Sequence, residues 1–288
     1  MRRHSVNLFN IINYSVFIVI AIIMLYPFWY TLVGSLVPFS QYAQDPILLY
    51  PKSISFKAYE KVLSNSLIAS SYTITLFSTT VGTALSMLMT VLGAYVFSRK
   101  FFPGKNFMFY LIIFSMLFSG GTIPLFITLN KFRLINNIWV YVFNPMLLNT
   151  FHLLIMRTNF QSLPAELEDS GRIDGCQDFG ILFRIIIPTS KAILATVMLF
   201  YAVDKWNDLS TGLFFISNSK KMSLQVILYN ILTSVESSQG NVGDSANAMI
   251  SEQIKLASII ITTLPILLFY PYLQKYFIKG VMIGAIKG

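Results

Sequence analysis

A chain of 288 residues that is 55% hydrophobic and only 11% charged, with a mean hydropathy of +0.65, lacks the charged surface that a water-soluble domain of this size needs. Its formal charge of +9 comes from Lys and Arg scattered in short clusters between apolar runs, not from a basic patch interleaved with aromatics, so no nucleic-acid partner is expected. Lipid is the solvent that suits this composition, and the single cysteine, Cys176, excludes an intrachain disulfide.

The first apolar run, Tyr14 to Leu36, is longer than the roughly 7–15 residues of a signal-peptide core and ends in aromatic anchors, Tyr26-Pro27-Phe28-Trp29-Tyr30, so it reads as a retained span. A helix needs about 20 apolar residues to cross the hydrocarbon, because unpaired backbone groups are costly there. Six stretches meet that length: Tyr14 to Gly34, Tyr72 to Phe97, Phe107 to Phe126, Ile138 to Met156, Ile185 to Trp206 and Lys255 to Tyr276. The expected fold is an all-α integral membrane protein of about six spans.

The second span carries Ser78, Gly82 and Ser86 at four-residue spacing beside Thr79, Thr83 and Thr90. Small residues let helices approach closely, here against either the chain's own helices or another membrane subunit. Gly120-Gly121 and Pro124 interrupt the third span, Pro188 and Lys191 the fifth, and Pro265 and Pro271 the sixth. His152, on the apolar fourth span, reads as a packed side chain; His4 reads as solvated.

The tight turn with Arg99, Lys100 and Lys105 favours an inner position. That orientation puts both termini and the 157–184 loop in the cytoplasm, and the 204–255 segment outside. The outer segment contains Ser237, Ser238, Gly240, Asn241, Gly243 and Asp244, a flexible polar composition.

The inner loop from Leu163 to Pro188 has local helix signals. Pro164 opens a helix, Glu166, Glu168 and Asp169 complement its positive end, and Asp174-Gly175 makes a turn before a second helix. A helix-turn-helix at the membrane face follows, although a plain amphipathic connector would give the same pattern.

The spacing Asp169-Ser170-Gly171, three residues, Gly175, nine residues, Ile185-Ile186-Ile187-Pro188 resembles the cytoplasmic signature of ABC importer permeases, Glu-Ala-Ala, three residues, Gly, nine residues, Ile-x-Leu-Pro. Asp169 stands for its glutamate, Ser170 and Gly171 for its alanines and Ile187 for its leucine. Trp206-Asn207-Asp208, Ser119-Gly120-Gly121-Thr122-Ile123-Pro124 and the tail from Phe277 to Gly288 look like maltose-type second permeases, in a subgroup associated with oligo- and polysaccharides.

The resemblance implies a type I importer permease fold, with residues 1–288 forming one transmembrane domain. It implies that the 157–184 loop couples to an ATPase through Glu168, Asp169, Ser170, Gly171, Asp174 and Gly175, with Pro188 closing the signature. Small side chains at Ser170 and Gly171 would allow close approach to a receiving cleft. It further implies that the 277–288 tail, through Ile283, Gly284 and Lys287, reaches the ATPase interface, and that Ser237, Gly240, Asn241 and Gly243 meet an extracytoplasmic solute-binding protein. The implied partners are a second homologous permease, a cytoplasmic ATPase dimer, that binding protein, a carbohydrate and the bilayer of a bacterial cell. With no Gly-x-x-x-x-Gly-Lys-Ser/Thr loop in the chain, ATP and Mg are expected on the ATPase and no cofactor here.

The sugar itself is not readable. Tyr72, Phe77, Tyr95 and Phe118 could stack on a pyranose, but at 15% aromatics most such rings face lipid or neighbouring helices. An intramembrane enzyme is the competing class. It would need convergent catalytic groups, yet neither His-Glu-x-x-His nor Gly-x-Ser-x-Gly occurs.

Overall fold

The structure, a computed structural model, describes residues 8–44, 47–99, 103–144, 147–238 and 252–268. Among these residues there is no strand, and the chain divides into two compact units, residues 1–68 with 228–264, and residues 69–227 with 265–288.

In the first unit, α1 (Leu8–Leu36) contains the first expected span. Its apolar side chains from Phe9 to Phe28 are mostly exposed, which suits a helix solvated by lipid or by another membrane subunit. Only its far end is packed. Val33, Val37 and Leu48 form a small core, the Trp29 indole N–H donates to the Leu49 carbonyl at 2.7 Å, and Ser35 Oγ lies 2.7 Å from the hydroxyl of Tyr59 in α3 (Lys57–Leu63). The short α2 (Phe39–Gln44) lies between them in the chain. A further helix over residues 252–268 reaches the same end of α1: Gln253 Nε2 donates to Val37 O at 2.6 Å, and a Cβ at Gly34 would lie 2.7 Å from Leu256 Cδ1.

The second unit is built on α4 (Ser66–Ser98), which contains the second expected span and extends it at the amino end. Its buried face is the hydroxyl stripe: Ser71, Thr75, Ser78, Thr83, Ser86 and Thr90 are all inside, and Thr90 Oγ1 lies 2.7 Å from the Tyr201 hydroxyl. The small residues of this span therefore pack against the chain's own helices.

Three expected spans are not single straight helices. The stretch Phe107 to Phe126 forms α5 (Lys105–Leu117) and α6 (Thr122–Lys131), bent by 116°. Gly121 at φ +86° takes the chain round, and Phe118 to Gly121 supply no helical hydrogen-bond run. The stretch Ile138 to Met156 is divided into α7 (Val140–Phe143) and α8 (Thr150–Gln161), where the Asn149 side chain accepts from the N–H groups of Phe151 and His152 and starts a new helix. The fifth stretch is split at Ser190: α10 (Asp178–Thr189) and α11 (Lys191–Trp206) meet at 86°. Pro188 has no N–H to offer, and the preceding residues Leu182–Ile186 are already wound as a π-helical turn, two features that divert a helix axis.

Among the described residues, then, α1 and α4 are each long and apolar enough to cross a membrane, and the number reaches four if each bent pair is counted as one span. The sixth expected stretch is helical through residue 268, and its remainder lies outside the described residues. The segment after Trp206, expected to be loop-like, instead carries α12 (Ser210–Phe215), a 3-10 turn at Ser219–Lys221 and α13 (Leu224–Ser238).

Candidate functional site

The helix-turn-helix expected from local signals is present. α9 (Glu166–Ile173) has Glu166, Glu168 and Asp169 in its first turn and Arg172 in its last, a charge order that complements its dipole. It ends in a Schellman turn: Cys176 N donates to Gly171 O at 2.9 Å and Gly175 N to Arg172 O at 3.0 Å, with Gly175 left-handed at φ +79°. α10 then begins at Asp178, and Arg172 Nη2 pairs with Asp178 Oδ1 at 2.7 Å across the turn.

The two helices differ in how they are anchored. α10 continues into the core, where Ile181, Leu182 and Ile186 are buried with Tyr95 and Phe97 of α4, Leu153, Met156 and Phe160 of α8, and Val197 and Tyr201 of α11. α9 buries only Gly171. A Cβ there would lie 2.6 Å from Ile185 Cδ1, so this small residue serves contact with the chain's own second helix, whereas the sequence pointed to an external cleft. Asp169, Ser170, Asp174 and Gly175 are exposed, and so are two apolar side chains on the same turn, Ile173 at 85% and Phe179 at 70%.

The carboxyl end of α4 lies beside this turn, and several cations converge on it. Arg157 Nε donates to Phe97 O at 3.0 Å and Lys105 Nζ to Arg99 O at 2.6 Å, satisfying carbonyls that the helix end leaves unpaired. The Arg99 guanidinium lies 4.1 Å over the Tyr95 ring and pairs with Glu168 of α9, while the Tyr95 hydroxyl donates to Asp178 O at 3.1 Å. Burial pushes the Arg99 guanidinium below its ordinary pKa, and the nearby acidic groups of Tyr95 and Asp178 partly oppose the shift. Sequence reasoning used Arg99 only as a marker of sidedness and missed this pairing.

A second polar cluster was also missed. Lys205, at the end of α11, is 2% exposed; its Nζ donates to Tyr141 O at 2.8 Å and Asn144 Oδ1 at 3.0 Å, and its stem runs beside Gly82 of α4. Asn144 Nδ2 donates in turn to Asp208 Oδ2 at 3.2 Å and Thr211 Oγ1 at 2.8 Å. Asp208 of the Trp206-Asn207-Asp208 run thus belongs to a buried network that joins α7, α11 and α12, whereas Asn207 is exposed.

The remaining sequence candidates are less informative. Tyr72 and Phe77 meet Trp206 and Trp139 edge-on, Tyr95 is buried under Arg99, and Phe118 stacks on Phe114, so neighbouring rings and cations engage all four. His152 is buried beside the rings of Phe200 and Tyr201, as a packed residue. Ser237 lies in the last turn of α13, whereas Gly240, Asn241 and Gly243, and the tail residues Ile283, Gly284 and Lys287, lie outside the described residues. Among the described residues, no group of three or more His, Cys, Asp or Glu side chains could hold a metal ion.

Comparison with known proteins gives this geometry a family. Residues 82–283 match the family described as the binding-protein-dependent transport system inner membrane component. The chain is 41% identical over 267 residues to Protein LplC of Bacillus subtilis, covering 92% of this chain and 90% of that one. It is 36% identical over 283 residues to the polygalacturonan/rhamnogalacturonan transport system permease protein YtcP of Bacillus subtilis, covering 98% and 99%. A crystal structure of a bacterial ABC transporter involved in import of the acidic polysaccharide alginate superimposes with a TM-score of 0.85 at 30% identity, over 96% of this chain and 99% of that one. The match spans most of the chain in sequence and nearly all of it in fold: the protein belongs to the family of inner membrane components of binding-protein-dependent ABC transport systems.

Proposed function

We propose that this chain is one permease subunit of an ATP-driven bacterial importer of an oligosaccharide, and that a separate ATPase dimer drives it through the α9–α10 turn. One observation carries the reading: near end-to-end similarity to YtcP, whose name states polygalacturonan/rhamnogalacturonan transport, in a chain whose helix-turn-helix keeps the signature spacing from Asp169 to Pro188. The alginate importer, similar across nearly the whole chain, supports the same substrate class.

In this reading Ile173 and Phe179 are apolar tips on a charged turn and dock in a cleft of the ATPase, framed by Asp169, Ser170, Asp174 and Gly175. Glu168, Gly171 and Pro188 shape the turn from within. ATP and Mg belong to the ATPase, consistent with a sequence that has no phosphate-binding loop of its own. Closure of that dimer rocks this chain against a second, homologous permease, so that the pathway between them opens alternately to each side. Six spans put both termini inside, the tail with Ile283, Gly284 and Lys287 against the ATPase, and Ser237, Gly240, Asn241 and Gly243 toward the solute-binding protein.

The test is reconstitution of the chain with its second permease, ATPase and binding protein in proteoliposomes. Loaded binding protein should stimulate ATP hydrolysis and uptake of at least one sugar from a panel of neutral and acidic oligosaccharides. A chain that never recruits an ATPase, or whose assembled complex takes up none of the panel, rejects the reading.

A further inference from the structure

Of the two helices in the turn, α10 is held to the spans by a buried apolar core, whereas α9 buries one glycine only. A helix so thinly packed needs another link if a push on it is to reach a span. Glu168 and Arg99 make that link: the carboxylate is on α9, the guanidinium follows the last turn of α4, and both side chains are about four-fifths buried, Glu168 at 22% and Arg99 at 18% exposure. A pair at that depth is less screened by salt than a surface pair. The centre of the guanidinium also lies 4.1 Å from the centroid of the Tyr95 ring, whose hydroxyl donates to the α10 backbone at Asp178 O. Lys105 and Arg157 fasten the backbone of the same end of α4.

We infer that the Arg99–Glu168 pair is the strut through which α9 moves α4, making Arg99 a positioning residue for transport coupling. The inference rests on the reading of the α9–α10 turn as the ATPase contact. With both helices tied to one end of α4, α9 through Glu168 and α10 through Tyr95, the turn cannot tilt without carrying that end along. Arginine suits the place because its planar fork offers several fixed donors to the carboxylate while it lies over the ring, whereas a lysine ammonium offers only a compact point charge.

The test uses the fully assembled transporter in a Cys176→Ser background and reads sugar taken up per ATP hydrolysed, a ratio that a loss of folded protein would not change. Arg99→Met, which keeps the apolar stem, should lower that ratio by at least about fivefold, the low end of ordinary coupling between sites. Arg99→Lys should fall between Met and wild type. Arg99→Cys with Glu168→Cys should be uncoupled when reduced and should recover to within about twofold of wild type when a short thiol-specific linker joins the two positions, an intramolecular tie replacing the ionic one. A wild-type ratio in Arg99→Met, or a linked pair as uncoupled as the reduced one, overturns the strut. Gly175→Val separates the two levels: normal coupling there removes the turn and the strut together, whereas uncoupling there with normal Arg99→Met rejects the strut alone.

Discussion

At the scale of single residues, the two glycines of the signature do different work. Gly175 is held at φ +79° by the Schellman turn, and an added Cβ would meet nothing within 4 Å in this chain. Valine there costs about 1–2 kcal/mol in backbone strain without colliding with the fold. We predict that Gly175→Val reaches the membrane but binds or stimulates its ATPase poorly, while Gly175→Asn, which tolerates the left-handed region, retains most activity; equal behaviour of the two in ATPase co-purification would remove the φ argument. Gly171 is limited by space instead. The near atom is the tip of Ile185, which can swing aside, so Gly171→Ala should be close to neutral, whereas Gly171→Leu should overpack the contact and cost about 1–3 kcal/mol. Thermal unfolding of the detergent-solubilised protein would check the order Gly, Ala, Leu. The positive φ was legible in the Asp174-Gly175 pair; the identity of the surface facing Gly171 was not, because Ile185 lies on the other helix.

At the scale of elements, the Lys205–Asn144–Asp208 network shows how a charge is kept inside a bundle. Asn144 is the hinge of it, accepting from the ammonium and donating to both Asp208 and Thr211. Replacing it with leucine leaves the cation and the carboxylate each short of one hydrogen-bond partner, and leaving a buried polar group unsatisfied costs about 1–3 kcal/mol. We predict a marked fall in the melting temperature of Asn144→Leu, against a change within about 0.5 kcal/mol for Gln225→Ala, whose bond to Asn207 is exposed. Similar melting of both variants would mean that the network adds little. Breaks in the helices were partly foreseeable: Gly120-Gly121 and Pro188 announce a bend. Its angle, 116° in one pair and 86° in the other, depends on what each arm packs against.

At the scale of the whole molecule, sidedness can be measured. The cations Arg99, Lys105 and Arg157 gather at one end of α4, next to the α9–α10 turn, as expected if that end faces the cytoplasm. We predict that, in a Cys176-free background, a cysteine at Asn241 is labelled from outside intact cells and one at Gly175 only after permeabilisation. The reverse pattern would invert the topology and with it the placement of every partner. Labelling also bears on the tail and the 239–251 segment, where the candidates Gly240, Asn241, Gly243, Ile283, Gly284 and Lys287 fall outside the described residues.

The sequence alone determined the helical membrane class, the family resemblance and the helix-turn-helix between Leu163 and Pro188. Each of these rests on composition or on residues adjacent in the chain: apolar run length, helix-end charges, a turn glycine and fixed spacing. Tertiary structure alone decided that Arg99 meets Glu168, that Lys205 meets Asn144 and that Gly171 meets Ile185. In the first two pairs, a cation is brought by packing to a partner far away in the chain; in the third, the turn sets one helix against the other. A cation or a small residue in a sequence carries no mark of the neighbour that the fold will supply.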